Sequence, residues 1–132
     1  MTTSNGGGVA IRGSNGELYN DGSNSSVTNG TEYKDAGDIL SVKLNMDDNE
    51  ISFSTNGATY TSAVSLSSYV LSSGFVSPGS NIGDDEELTV NFGNPNWALS
   101  SGNVDDNGYG NFEYDVPTGY YALCTKNLAE FG

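Results

Sequence analysis

The segment 37–57 constrains the fold most, because its hydrophobic side chains alternate as they do in two adjacent β-strands. A run of Asp and Asn residues divides it, and Asn56-Gly57 closes it with two residues that tolerate positive φ. The pattern predicts a β-hairpin, with Ile51 and Phe53 on one face of its second strand. Its first strand should bury the face that carries Leu40, Val42, Leu44 and Met46. Because an isolated hairpin is marginally stable, this one should belong to a larger sheet.

Other segments extend this β-rich pattern. Residues 88–92 alternate and predict a strand, and residues 119–123 are apolar at nearly every position, which predicts a strand buried on both faces. Two short apolar runs, 9–12 and 18–19, flank a turn and predict a strand pair, whereas residues 125–131 have the composition for a turn of helix. With 132 residues, 18 of them Gly and only 16% charged, the chain is typical of one all-β domain.

The charge balance narrows the classes of partner. The chain has 17 acidic and 4 basic residues, a formal charge of −13, so it lacks the Lys/Arg surface that nucleic acids and anionic membranes attract. It also has no apolar run long enough to span a bilayer. We therefore predict no nucleic-acid partner and no membrane insertion.

The scarcity of catalytic side chains narrows the classes of function. There is no histidine, so a Ser-His-Asp or Cys-His arrangement within the chain is excluded. Cys124 is the single cysteine, which excludes a zinc site and an intrachain disulfide. Its apolar neighbours predict that Cys124 is a small buried hydrophobe.

Three parts of the sequence together resemble a SPRY (B30.2-like) domain. They are the hairpin segment with its Gly-Asp start and Asn-Gly end, the later Val90-Asn91-Phe92-Gly93, and the ending at 116–128. The ending is similar to the segment that follows SPRY modules in virion proteins of tailed bacteriophages. The resemblance implies an all-β antiparallel β-sandwich of the concanavalin A-like/SPRY type. It implies a flexible segment at 1–8, the sandwich at 9–93, and a C-terminal extension at 94–132 that packs on the sandwich or on a partner.

The hairpin comes earlier here than in the family, where more strands precede it. The resemblance therefore implies a sandwich that is incomplete at its N-terminal side. A fragment, a shortened relative and a protomer completed by another chain all fit this expectation. Because a sheet without neighbours leaves an unpaired edge, we expect a homo-oligomer, association with other virion proteins, or both.

SPRY modules bind without catalysing a reaction, so the resemblance implies a non-catalytic structural or adhesion protein of a bacteriophage particle. It would serve in a tail fibre, an appendage or a capsid decoration, be located in the virion, and bind protein or a host-surface glycan. A free lectin-like carbohydrate-binding module is the alternative. Related sandwiches include hydrolases with a Glu-x-Asp-x-x-Glu strand. Glu113-Tyr114-Asp115 begins that motif, but Thr118 replaces its second Glu, so we predict no enzyme.

Two groups of residues are candidates for binding. Four oxygen-bearing residues approach the spacing of a calcium loop, although its first ligand is Asn and its closing Glu falls one place early: Asn103, Asp105, Asn107 and Glu113. A solvated Asp/Asn turn is the alternative for this loop, and no other cofactor is expected. Aromatic residues near the C-terminus are candidates for contact with a partner or glycan, with core packing as the alternative: Trp97, Tyr109, Phe112 and Tyr114.

Overall fold

The structure, a computed structural model, describes residues 9–20, 23–28, 31–66, 77–80, 82–83 and 85–132. The chain separates into two compact units, Met1–Pro78 and Gly79–Gly132. The division into a sandwich at 9–93 and an extension at 94–132 stays a prediction. The expected flexible segment at 1–8 lies outside the described residues. Strands in two antiparallel sheets dominate the secondary structure, as expected of an all-β chain.

The first sheet is formed by three consecutive strands in the order β1-β2-β3. They are β1 (Val9–Ile11), β2 (Glu17–Asn20) and β3 (Ser23–Thr28). The predicted short strand pair corresponds to β1 and β2, which pair with Ala10 opposite Tyr19. Leu18 in β2 is one of the buried apolar side chains of this unit.

The second sheet contains the predicted hairpin. Its strands are β4 (Leu40–Asn45), β5 (Glu50–Thr55) and β6 (Val64–Ser65), in the order β4-β5-β6. Between β4 and β5 the register places Val42 opposite Phe53 and Leu44 opposite Ile51. Phe53 lies on the central strand and is only 3% exposed, which makes it part of the core.

A tight turn at Asn56-Gly57 reverses the chain after β5, as the sequence predicts. Both residues have positive φ, 53° and 72°, and the amide of Ala58 donates to the carbonyl of Thr55 at 3.0 Å. Positive φ at both central residues is the signature of a type I′ turn, whose twist matches that of the flanking strands. After the turn, Thr61 N–H donates to the carbonyl of Phe53 at 2.8 Å.

We expect Gly57→Val to destabilise the second sheet by about 1–3 kcal/mol, because a β-branched side chain at positive φ strains the backbone. Hydrogen exchange of the β4 and β5 amides measures this loss locally. Gly57→Asn is the matched control, since asparagine tolerates the left-handed region and should lose far less protection. Equal protection in the two variants would contradict the turn's role.

The face predicted to be buried on the first hairpin strand is mostly exposed, and of its four residues only Leu40 is half-buried. Val42 is 53% exposed, and Leu44 and Met46 are also exposed. In the described part of the chain β4 is an edge strand, paired with β5 alone. Alternation correctly located the strand, but it does not reveal whether a neighbouring element covers its apolar face.

Two segments predicted as strands have no strand structure. Residues 88–92, all described, lie outside any strand, and Leu88, Val90 and Phe92 are exposed. In residues 119–123, Ala122 is 5% exposed while its neighbours Tyr121 and Leu123 are exposed, so the segment is not buried on both faces. Strand conformation needs a ladder partner. In the second segment the amide of Ala122 donates to the side chain of Asp105 instead.

The predicted helical turn is confirmed at the C-terminal end. Helix α1 spans Thr125–Phe131, with Cys124 as its N-cap residue. Cys124 is half-buried and free, where the sequence predicted full burial. Within the described ranges, the structure contains no helix with the length and apolar character needed to cross a bilayer.

Candidate functional site

The predicted calcium loop forms a reversal of the chain in the unit Gly79–Gly132. Asn103 and Phe112 bridge its ends, each donating its amide to the other's carbonyl at 2.9 Å. At the tip, Asp105 N–H donates to the carbonyl of Tyr109 at 2.8 Å, and Gly108 N–H donates to the carbonyl of Asp105 at 2.9 Å. The Asp-Asp-Asn-Gly sequence suits this tip, because Asp and Asn side chains cap nearby amides and glycine accepts positive φ.

Asp105 is a buried acid of this unit and is only 5% exposed. Its Oδ1 accepts hydrogen bonds from the amides of Asn107 and Tyr109, both at 2.9 Å. Its Oδ2 accepts from the amide of Ala122 at 2.9 Å and from Asn127 Nδ2 at 2.6 Å. We call these five residues the Asp105 cluster. The carboxylate ties together the loop, the segment before α1 and α1 itself.

Asn127 completes the connection from inside α1. Its Nδ2 also donates to the carbonyl of Ala122 at 2.9 Å, and its Oδ1 accepts from Asn107 Nδ2 at 2.9 Å. The amide group of Asn127 therefore uses both donor hydrogens and its acceptor within the Asp105 cluster. A buried polar group is stabilising when its partners are all present, as they are here.

Burial of Asp105 acts to raise the pKa of its carboxyl, but the hydrogen bonds from Ala122, Tyr109, Asn127 and Asn107 outweigh it. The pKa of Asp105 consequently lies below its usual value. The charged form is thus held in the interior by donors alone, without a basic side chain among its hydrogen-bond partners.

The four candidate calcium ligands have different hydrogen-bond partners in the structure. Glu113 accepts hydrogen bonds from the amide and hydroxyl of Ser100, which lower the pKa of its carboxyl. Asn103 donates through Nδ2 to the carbonyl of Glu113 at 2.9 Å. In the part of the chain that the structure describes, no three Cys, Asp or Glu side chains approach closely enough to hold a metal ion. The hydrogen bonds of Asp105 and Glu113 support a turn of Asp and Asn residues, in which Asp105 is buried rather than solvated, and the calcium site itself stays a prediction.

We therefore expect millimolar calcium, or a chelator, to leave the midpoint of thermal unfolding unchanged. A carboxylate has about four lone-pair sites, and those of Asp105 already accept four N–H donors. A ligand stabilises a protein only if it binds the folded state preferentially. A calcium-dependent rise of the midpoint that disappears in Glu113→Gln would contradict this expectation and restore the calcium hypothesis.

The aromatic candidates are not equivalent. Trp97 is 38% exposed and remains available for a ligand. Tyr109 is half-buried; its hydroxyl donates to Glu130 Oε2 at 2.7 Å, and Lys126 Nζ lies 4.9 Å from its ring centre. Phe112 and Tyr114 are half-buried, and Phe112 lies close against Gly110. Of the four, Trp97 retains the exposure that a contact residue needs.

Asn127 and Ala122, the distant partners of Asp105, are not predictable from the sequence. They lie 22 and 17 residues away along the chain, so no local spacing connects them. The one local signal for a buried contact was Asn127 itself, a residue that disfavours helix within the segment Thr125–Phe131. A scan against family models finds no match, and neither do searches of curated proteins and of solved structures.

Proposed function

We propose that this chain is a non-catalytic binding and structural protein, built on an antiparallel sandwich of the SPRY type and acting in a tailed-bacteriophage particle. Exposed apolar side chains in both units carry the binding part of the proposal. They are Val42 and Leu44 on β4 together with Leu88, Val90 and Phe92. Several exposed apolar side chains close together in the sequence, as in each of these two groups, favour a site that another macromolecule covers.

The sandwich and the particle setting rest on the resemblance. The hairpin supports them, because the motifs that carry the resemblance lie in a segment where β4 and β5 pair and the Asn56-Gly57 turn follows. Asp38 and Asn56 add to this support. Asn56 Nδ2 donates to Asp38 Oδ1 at 2.7 Å, and the amides of Lys34 and Asp35 both donate to Asp38 Oδ2 at 2.9 Å. The Gly-Asp start and the Asn-Gly end of the hairpin therefore form one connected structure.

Mass spectrometry of purified bacteriophage particles tests whether the protein is part of the particle. We expect the protein in intact particles at a copy number that fits the symmetry of a tail or capsid. Its presence free in the lysate, together with its absence from washed particles, would overturn the proposal.

A free lectin-like module is the second candidate, and the exposure of Trp97 favours it. Aromatic rings are a common sugar-binding surface. Glycan-array binding by the isolated protein, lost in Trp97→Ala and kept in Tyr121→Ala, would support this candidate. Tyr121 is a suitable control because it is an exposed aromatic residue of the same unit.

A further inference from the structure

The outer edge of β4 has hydrogen-bonding groups directed away from the sheet. In an antiparallel pair, alternate residues direct N–H and C=O toward the partner strand, and those between direct them outward. Asn56 N–H donates to the carbonyl of Ile39 at 2.9 Å, which makes Ile39–Asn56 a hydrogen-bonded pair in the β4–β5 register. Counting along the strand from Ile39, the outward residues are Leu40, Val42 and Leu44.

The hydrogen bonds of β5 agree with this assignment of inward and outward residues on β4. Phe53, which faces Val42 in the register, uses its carbonyl on the amide of Thr61 and its amide on Thr61 Oγ1. Those groups therefore point toward Thr61, on the far side of β5 from β4. Val42 thus directs its own N–H and C=O out of the sheet edge, where its side chain is also exposed.

The charge of β4 differs from that of the chain as a whole. The whole chain carries −13, whereas Leu40–Asn45 contains no acid and one base, Lys43. The Nζ of Lys43 lies 4.8 Å from the ring centre of Tyr60. The net charge of −13 opposes contact between two copies, and β4 itself adds no acid to such a contact. The absence of acids from an apolar edge strand favours a second copy as its occupant.

We propose that a second copy pairs its own β4 antiparallel with this edge, with Val42 opposite Val42 of the second copy. In this register Leu40 faces Leu44 and Lys43 faces Ser41. The other centred register places Lys43 opposite Lys43, and like charges directly opposite are destabilising. Charge therefore selects the register, and the result is a two-fold symmetric, six-stranded sheet. This inference does not depend on the particle setting proposed above.

Sedimentation of the full chain tests the pairing. We expect the wild-type protein to sediment with the mass of two chains. We expect Val42→Lys to sediment as a monomer, because the substitution places two ammonium groups opposite each other in the proposed register. Val104→Lys is the matched control, because Val104 is similarly exposed but lies in the other unit, and it should remain a dimer. A monomeric wild-type chain, or dimers of all three proteins, would overturn the proposal.

Disulfide trapping tests the register. In a Cys124→Ser background, Ser41→Cys and Lys43→Cys chains are oxidised separately and as a mixture. Serine is a favoured N-cap residue, so α1 should tolerate the background substitution. Positions 41 and 43 would form a non-hydrogen-bonded pair with Cα atoms about 4.5 Å apart, within the reach of a disulfide. We expect a covalent dimer in the mixture and little in either variant alone. Efficient cross-linking of Lys43→Cys alone, or none in the mixture, would overturn the register.

Discussion

Replacing Asp105 by asparagine is expected to lower the free energy of unfolding of the unit Gly79–Gly132 by about 2–5 kcal/mol. The carboxylate accepts four N–H donors and is almost fully buried. An amide has one oxygen, so whichever way it is oriented, two donors face its NH₂ group. Each buried donor left without a partner costs about 1–3 kcal/mol.

Urea unfolding followed by tryptophan fluorescence measures this effect, because Trp97 is the single tryptophan and lies in the same unit. Asp106→Asn is the matched control. Asp106 is the adjacent acid, but it is exposed and accepts one bond, from the amide of Gly119 at 2.9 Å. We expect a loss of at most about 1 kcal/mol there. Equal losses in the two variants would show that the Asp105 cluster does not hold this unit together.

The same experiment has a pH dependence. The folded pKa of Asp105 is depressed, so the carboxylate stabilises the fold above the unfolded pKa of about 4. That stabilisation is lost as the pH falls through the lower, folded pKa. The asparagine variant cannot titrate at this position, so the difference between it and the wild type should shrink below about pH 4.

Replacing Asn127 by aspartate is expected to destabilise the same unit by about 3–5 kcal/mol at neutral pH. Asn127 is 7% exposed, and its Nδ2 donates to both Asp105 Oδ2 and the carbonyl of Ala122. An ionised aspartate has no hydrogen to donate and places a second negative charge against Asp105. One of the two carboxyls should therefore hold a proton in the folded state, with a raised apparent pKa.

The raised pKa fixes the direction of the pH dependence. Between about pH 4 and the raised value, the folded Asn127→Asp protein binds more protons than the unfolded chain does, so its stability falls as the pH rises. Its deficit relative to wild type should be largest at pH 7 and smaller at pH 5, where a shared proton restores one hydrogen bond. Asn127→Ala is the control, since it removes the donors without adding a charge. Equal deficits for the two variants at both pH values would contradict the proposed contact.

Local chemistry made part of this structure predictable. The Asn56-Gly57 turn, the β4–β5 hairpin and helix α1 are encoded by residues close together in the sequence. Turn residues set φ by their own steric limits, and alternation sets which side chains share a face. The positions of β4 and β5 and of the Asn56-Gly57 turn that follows β5 are therefore predictable from the segment 37–57.

Only the tertiary structure decided what the remaining segments pair with. Residues 88–92 alternate like a strand but form none, because strand conformation also requires a ladder partner. The amide of Ala122 bonds to the carboxylate of Asp105, 17 residues away, rather than to a strand. That bond helps to make Asp105 a buried structural acceptor, and its role as a calcium ligand stays a prediction. The sequence determines which side chain can accept hydrogen bonds; the donors that reach it depend on where distant parts of the chain are brought together.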